Sequence, residues 1–321
     1  MINTYVGFLF IIFPLLFSVT FFNGTSLYAN DENKHGSGHE LYINADKQFA
    51  FAGEYFNKGD YERALSEYNR FIFFFPEDKR VRVCRFNTGV CLKNINQNEN
   101  AIKIFRDLIK QDEKDNLSQK AYFELSDCYF VMKDFNNSIA ALEYAAASTS
   151  DQDIKDQAFY RIGWILVENQ AWDQAKQYFN KVGIQNIKAY EIDNLINELE
   201  KANNIPQKNP KIAGFLSLVP GGGYLYCTRY KDALTAFILN TGLIIAAAES
   251  FSNDSPALGG VISFVEAGFY AGNIYGGINS AHKYNRSSKR NFIENLKKQA
   301  KITLSANQKD RGIGLLFESR F

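Results

Sequence analysis

One pattern of small and bulky residues recurs four times in this chain, at a constant spacing of 37 residues. The clearest copy runs from Tyr55 to Tyr68 and is closed by Pro76. A period of about 20–50 residues is typical of stacked units, each of which buries its apolar face only against its neighbours. The sequence therefore predicts an array of two-helix units. The small residues are Ala52, Gly89, Ser126 and Gly163 in the first helix of each unit, and Ala64, Ala101, Ser138 and Ala175 in the second.

The pattern resembles the tetratricopeptide repeat family across residues 45–190. The third copy departs from that family, because it reads Met132-Lys133-Asp134-Phe135 where a turn glycine is expected. The usual repeat has about 34 residues, so the longer unit here predicts longer helices or looser turns. The resemblance implies an all-α solenoid of helical hairpins that binds other proteins and performs no chemistry. The first copy matches best, through Ala52, Tyr55, Gly59, Tyr61, Ala64, Tyr68 and Pro76.

One position of every repeat carries an aromatic side chain, and these residues, the aromatic column, are Phe49, Phe86, Phe123 and Tyr160. The resemblance implies that neighbouring positions line a concave groove. Aromatic anchors among polar side chains suit a peptide or helix as partner. The alternative is that this aromatic column belongs to the solenoid core. The expected protein-binding residues are Phe49, Phe56, Phe86, Phe123, Phe130, Tyr160 and Trp164. The polar groove positions are Asp46, Asn57, Lys93, Lys120, Asp127 and Glu168.

The charge distribution excludes some functions. Residues 31–209 carry 23 basic and 28 acidic side chains, whereas nucleic-acid binding needs clustered Lys and Arg. His35, His39 and His282 have no suitably spaced nucleophile or metal partner. We therefore expect no enzyme activity, no cofactor, no metal and no nucleic-acid partner.

The first thirty residues contain no charged side chain. Residues 1–29 are expected to be a signal peptide cleaved after Ala29, or an uncleaved anchor. Residues 30–44 are expected to be a flexible polar segment. Either interpretation of the N-terminal segment predicts export of the repeats.

The composition changes after the fourth repeat. Residues 45–205 are expected to form the solenoid, with a capping helix over 189–204, and residues 206–211 a linker. The apolar stretches 212–227, 233–248 and 257–278 then predict hydrophobic membrane helices within 212–281. The first of these stretches is alternatively a re-entrant or interfacial segment. Residues 282–321 form a basic tail with 10 basic and 3 acidic side chains. The predicted fold class is thus all-α, a tetratricopeptide-type solenoid followed by a hydrophobic helical domain.

Charge placement predicts a topology for these stretches. Arg229 and Lys231 follow the first stretch, the connection 249–256 has no base, and the tail is basic. The positive-inside rule then predicts three crossings, with the solenoid in the periplasm and the tail in the cytoplasm. The tail itself is expected to be a topological anchor, or an amphipathic helix that turns four apolar residues toward lipid. Those residues are Phe292, Ile293, Leu296 and Ala300.

The segment Pro220-Gly221-Gly222-Gly223-Tyr224-Leu225-Tyr226 is similar to the P-G-x-G-x-x-Y turn of a group of small bacterial membrane domains, which implies no chemistry. Gly268, Gly272 and Gly276 form a smooth helical stripe for helix packing. The stripe either packs against the second apolar stretch or makes a homo-oligomer. Glu266 is the one acid in the third stretch.

These features together predict a non-enzymatic, membrane-anchored scaffold of the bacterial cell envelope. We expect it in the inner membrane, with protein or peptide partners and the lipid bilayer as its contacts. The alternative is a transport or assembly component whose C-terminal membrane domain is the active part.

Overall fold

The computed structural model describes residues 44–113 and 115–311, with side chains to residue 300. All regular elements of this part are helical, which confirms the predicted all-α class. The predictions for residues 1–29 and for nearly all of 30–44 lie outside the described residues. The four repeats contain α1 (Ala45–Asn57) and α2 (Tyr61–Phe74), α3 (Val81–Asn94) and α4 (Asn98–Gln111), α5 (Asn116–Val131) and α6 (Phe135–Ala147), and α7 (Gln152–Glu168) and α8 (Trp172–Phe179).

A three-residue turn joins the two helices of every repeat, and its middle residue is left-handed in all four. Gly59 has a φ of 75° there, and Asn96, Lys133 and Gln170 have φ values of 63°, 61° and 60°. The third turn therefore keeps the conformation although its glycine is lost, at a cost of about 1–2 kcal/mol for a residue with a Cβ. Because the turns stay short, the extra length of the repeat lies in the helices and in the connections between repeats.

Glycines let the two helices of a repeat approach closely. An added Cβ at Gly89 would lie 2.6 Å from a ring carbon of Phe105, and one at Gly163 would lie 2.4 Å from Phe179. Both phenylalanines are fully buried. The small–large pairing read from the sequence thus sets the distance between helices.

The last repeat ends in a loop that is tied back to α7. Asp156 is fully buried, and its carboxylate accepts hydrogen bonds from Gln152 Nε2 (2.7 Å), the Gly183 N–H (2.9 Å) and Asn186 Nδ2 (2.8 Å). Beyond this loop lie α9 (Ile184–Ile187), α10 (Ile192–Glu200) and a 3-10 turn (Lys201–Asn204). The helix α10 contacts α8 and buries three apolar residues, which are Ile192, Leu195 and Leu199.

Four helices follow: α11 (Pro210–Leu216), α12 (Gly222–Tyr226), α13 (Tyr230–Ser252) and α14 (Pro256–Arg311). The helices α11 and α12 have 7 and 5 residues, or rises of about 10 and 8 Å, against about 30 Å of hydrocarbon in a bilayer. The prediction that 212–227 crosses a membrane is therefore wrong, because the glycine-rich turn breaks the stretch. Its Gly221 is left-handed, with a φ of 83°.

The helices α13 and α14 form an antiparallel hairpin. At its open end, opposite the connecting turn, Arg229 Nη1 donates to Ser280 Oγ at 3.0 Å and links the two helices. The helix α14 does not end there but continues to Arg311. Its second half packs on the solenoid: Ile293 and Leu296 are buried in the core of the fourth repeat, and the Phe292 ring meets Trp172 edge to face at 5.7 Å. The expectation that these residues face lipid is wrong, because the solenoid covers the same apolar stripe.

Candidate functional site

The first helices of the repeats, α1, α3, α5 and α7, form one face of the solenoid. The helices α3 and α5 contact each other, and Arg161 of α7 forms an ion pair with Asp127 of α5. We therefore assign this face to the inner side of the array. A line of ion pairs runs along it from one repeat to the next. Lys93 bonds to Glu124 and lies 3.4 Å from Asp127, and Arg161 Nη1 donates to the other oxygen of Asp127 at 3.1 Å.

The ion pairs hold adjacent repeats in register and give the face a mixed charge. Burial by itself would lower the pKa of the Lys93 ammonium, but Glu124 and Asp127 outweigh it and raise that pKa above its ordinary value. The guanidinium of Arg161 also lies over the ring of Phe123, 5.0 Å from its centroid. A ring on this face is thus fixed beside charged groups, as in surfaces that anchor a peptide side chain.

The aromatic column divides into an open part and a covered part. Phe49, Phe86 and Phe123 are half-buried. Phe86 packs on Phe105 with ring centroids 5.8 Å apart, so these rings serve both the core and the face. Tyr160 is only 3% exposed, because Tyr190 stacks on it at 4.5 Å. At that position the ring of the column is part of the core.

The fourth repeat is filled by the chain's own C-terminal residues. Trp164 is 9% exposed and lies edge-on to Phe179, and Glu168 forms an ion pair with Lys297 of α14. Trp164 and Tyr160 therefore do not present a free surface. The open part of the groove belongs to the first three repeats, and its half-buried rings are Phe49, Phe56, Phe86, Phe123 and Phe130.

The described side chains that could act as nucleophiles or metal ligands are either buried or too far apart to act together. Within residues 44–113 and 115–311, no three His, Cys, Asp or Glu side chains are placed to hold a metal. All four cysteines are free and buried. Burial raises the thiol pKa of Cys84, Cys91 and Cys128 to about 12, which makes them poor nucleophiles near neutral pH.

The hydrophobic hairpin is the second candidate surface. Of the helices in the described part, one, α13, is long and apolar enough to cross a membrane. Its large apolar side chains are exposed in this structure, and so are those on the first half of α14, Phe264 at 83% being the extreme.

The predicted glycine stripe makes close contact at one end only. An added Cβ at Gly276 would lie 1.8 Å from the Tyr224 hydroxyl, while an added Cβ at Gly268 or Gly272 would meet no atom within 4 Å. These two line an open cleft of about 460 Å³ between α13 and α14. Neither glycine is in close contact with another described helix, so the expected packing role of the stripe stays a prediction at these two positions.

Sequence reasoning missed several residues that organise these surfaces. Arg161 and Glu124 complete the line of ion pairs on the inner face. The constant spacing of 34 residues, from Lys93 to Asp127 and from Asp127 to Arg161, was a sequence signal for these pairs. Asn273 holds the glycine-rich turn, since its Nδ2 donates to the Ser217 carbonyl (2.7 Å) and its Oδ1 accepts from the Gly221 N–H (3.0 Å). No local pattern marks that residue.

The tetratricopeptide repeat family matches residues 84–114 and 157–184, which cover most of the second and fourth hairpins. No curated protein matches the chain in sequence. Among solved structures, a tetratricopeptide repeat protein from Parabacteroides merdae is 12% identical and has a TM-score of 0.42, over 82% of this chain and 98% of that one. PilF of Pseudomonas aeruginosa is 16% identical, with a TM-score of 0.39 over 62% of this chain and 90% of that one.

MamA of Desulfovibrio magneticus RS-1 is 19% identical, with a TM-score of 0.37 over 43% of this chain and 73% of that one. The described part of this chain is helical and contains no strand. Its repeated hairpins, two of which match the tetratricopeptide repeat family in sequence, form a tetratricopeptide-type solenoid.

Proposed function

We propose that this protein is a non-enzymatic scaffold, held at a membrane of the bacterial cell envelope, that binds a protein partner through the groove of its first three repeats. The observation that carries the proposal is the inner face itself. Half-buried rings such as Phe123 stand beside the line of ion pairs there, while the chain's own tail fills the fourth repeat. Such a face offers apolar anchors and charged neighbours to an extended peptide or a helix.

Paired alanine substitutions test the groove. Replacing Phe123 and Phe130 should weaken capture of the partner from envelope extracts by at least tenfold, since aromatic anchors carry about 2 kcal/mol or more each in protein interfaces. The matched control replaces Phe73 and Phe74, which are 77% and 62% exposed on α2, outside the groove. Equal loss in both variants, with both still helical by circular dichroism, would contradict a groove-specific function.

The membrane part of the proposal rests on the hydrophobic hairpin. The 23 residues of α13 rise about 35 Å, enough to cross the hydrocarbon of a bilayer. We place the solenoid in the periplasm and the hairpin in the inner membrane, because the N-terminal apolar segment predicts export. Protease added outside spheroplasts should then digest residues 30–209, and survival of that region would refute the periplasmic location.

A second candidate function is a transport or assembly component whose hairpin is the active part. Glu266 favours it, being 7% exposed with neither carboxylate oxygen hydrogen-bonded to any described group. Because ionisable residues inside a membrane are rare and costly, a buried acid in a proposed membrane helix is a candidate functional residue. Glu266→Gln should abolish complementation of a deletion strain while leaving partner capture intact. Full complementation by this variant would eliminate the candidate.

A further inference from the structure

The two ends of the α13–α14 hairpin differ in charge. At the open end, near the Arg229–Ser280 contact, stand Lys211, Lys231, Lys283 and Arg286, all at least partly exposed. We call these four residues the basic collar. The closed end, residues 249–256, carries Glu249 and Asp254 and no base.

The open end also faces the solenoid, because α14 runs from one to the other without a break. Just beyond the hairpin, Asn285 is tied to the linker: the Lys208 N–H donates to Asn285 Oδ1 at 2.6 Å, and Asn285 Nδ2 donates to the Lys208 carbonyl at 2.9 Å. Further along, Lys297 pairs with Glu168 of the fourth repeat. A tail fastened to the solenoid in this way cannot lie on the opposite side of a membrane from it.

The short helices α11 and α12 sit at the same end. An added Cβ at Gly223 would lie 3.0 Å from Gly277 Cα, and the Tyr270 hydroxyl donates to the Leu218 carbonyl at 2.6 Å. Phe215 and Val219 nevertheless point outward, 72% and 65% exposed. A short apolar element beside basic and tyrosine side chains suits the boundary between headgroups and acyl chains.

We infer that α13 crosses the bilayer and that the first half of α14, whose large apolar side chains are exposed as well, lies beside it there. The two helices then form a hairpin that enters the membrane from the solenoid side. The basic collar then meets anionic headgroups on that side, and the turn at Asn253 reaches the other. This inference rests on the membrane anchoring proposed above and replaces the three-crossing topology. In a periplasmic location the collar faces the periplasmic leaflet, against the positive-inside bias for basic residues close to the ends of membrane helices.

Cysteine labelling with a membrane-impermeant maleimide tests the topology. The full chain is reconstituted in vesicles with single cysteines at Asn253, at Ser287 in the tail, or at Asn136 in the solenoid, all exposed positions. The native cysteines are buried and give little background. We expect Ser287→Cys and Asn136→Cys to label from the same side, and Asn253→Cys from the opposite side. Labelling of Ser287→Cys opposite to Asn136→Cys, or of all three from one side, overturns the hairpin.

Co-purified lipid tests the collar. The triple variant Lys211→Gln, Lys231→Gln and Lys283→Gln should lower the ratio of phosphatidylglycerol to zwitterionic lipid retained by the protein at least fivefold, about the contribution of one basic residue near an anionic surface. The control neutralises three exposed solenoid lysines, Lys79, Lys103 and Lys110, and should leave the ratio unchanged. An unchanged ratio in the collar variant refutes headgroup binding.

Extraction at alkaline pH separates failure of this inference from failure of the proposed function. If carbonate removes the protein from membranes, the anchoring itself is wrong. If the protein stays in the membrane but the labelling pattern differs, the hairpin topology alone is wrong.

Discussion

Replacing Gly163 by alanine tests the close approach of helices on which the repeats depend. The new Cβ would lie 2.4, 2.6 and 2.7 Å from three ring carbons of Phe179, where about 3.5–4.0 Å is a normal contact. The ring would have to move by about 1 Å to restore that contact distance. It has little room, since Tyr160 and Trp164 lie against it with centroids 5.8 and 6.1 Å away.

The expected change in the free energy of unfolding is the difference between two effects. Overpacking a core costs about 1–3 kcal/mol, while alanine is better than glycine inside a helix by about 1 kcal/mol. Gly163→Ala should therefore destabilise the protein by up to about 2 kcal/mol. Gly53→Ala is the matched control, because it lies in α1 with no atom within 4 Å of its added Cβ. This control should gain about 0.5–1 kcal/mol from propensity alone.

Urea unfolding of the full chain in detergent, followed by circular dichroism, measures both variants. Phe179→Leu makes room for the Cβ, so Gly163→Ala should cost less in that background, by about 1 kcal/mol or more. Equal stabilities of the Gly163 and Gly53 variants would refute the packing argument. A cost of Gly163→Ala that stays unchanged in the Phe179→Leu background would refute it as well.

Three further substitutions probe other parts of the chain. Lys133→Gly should stabilise the protein by about 1 kcal/mol in the same unfolding assay, because it relieves a left-handed residue with φ of 61°; a loss of stability would contradict this. Asp156→Ala should destabilise the protein by about 3 kcal/mol and speed amide hydrogen exchange at Gly183, because three donors lose their buried acceptor. Unchanged exchange would show that Asp156 does not hold the loop. Phe292→Ala should speed exchange in residues 288–300 but not in α13, with about 1–2 kcal/mol of burial lost; protection that stays the same would show that Phe292 does not hold the tail.

The repeat architecture was largely predictable, because packing rules act at short range. Gly89 and Gly163 are small since Phe105 and Phe179 fill the facing space, and a period of 37 residues carries that pairing through the array. The left-handed turn at Lys133 was not predictable from residue preference, because the flanking helices impose it.

The candidate site was predictable only in part, because an apolar stripe in the sequence does not identify the surface that packs against it. Phe292 and Leu296 lie on a face that fits lipid as well as protein, and only the fold shows the solenoid there. Tyr160 matches a groove position in sequence, yet Tyr190 from the capping region covers it. Contacts between residues distant in sequence decided both outcomes.

Site-specific photocrosslinking tests the central claim most directly. A benzophenone amino acid is placed at Phe86 or Phe123 in the groove, and at Tyr144 as a control, which is 65% exposed on α6. We predict that both groove positions yield an adduct of the same mass in the membrane fraction and that the control position does not. Adducts from the control position alone, or different adducts from the two groove positions, would contradict a partner-binding groove.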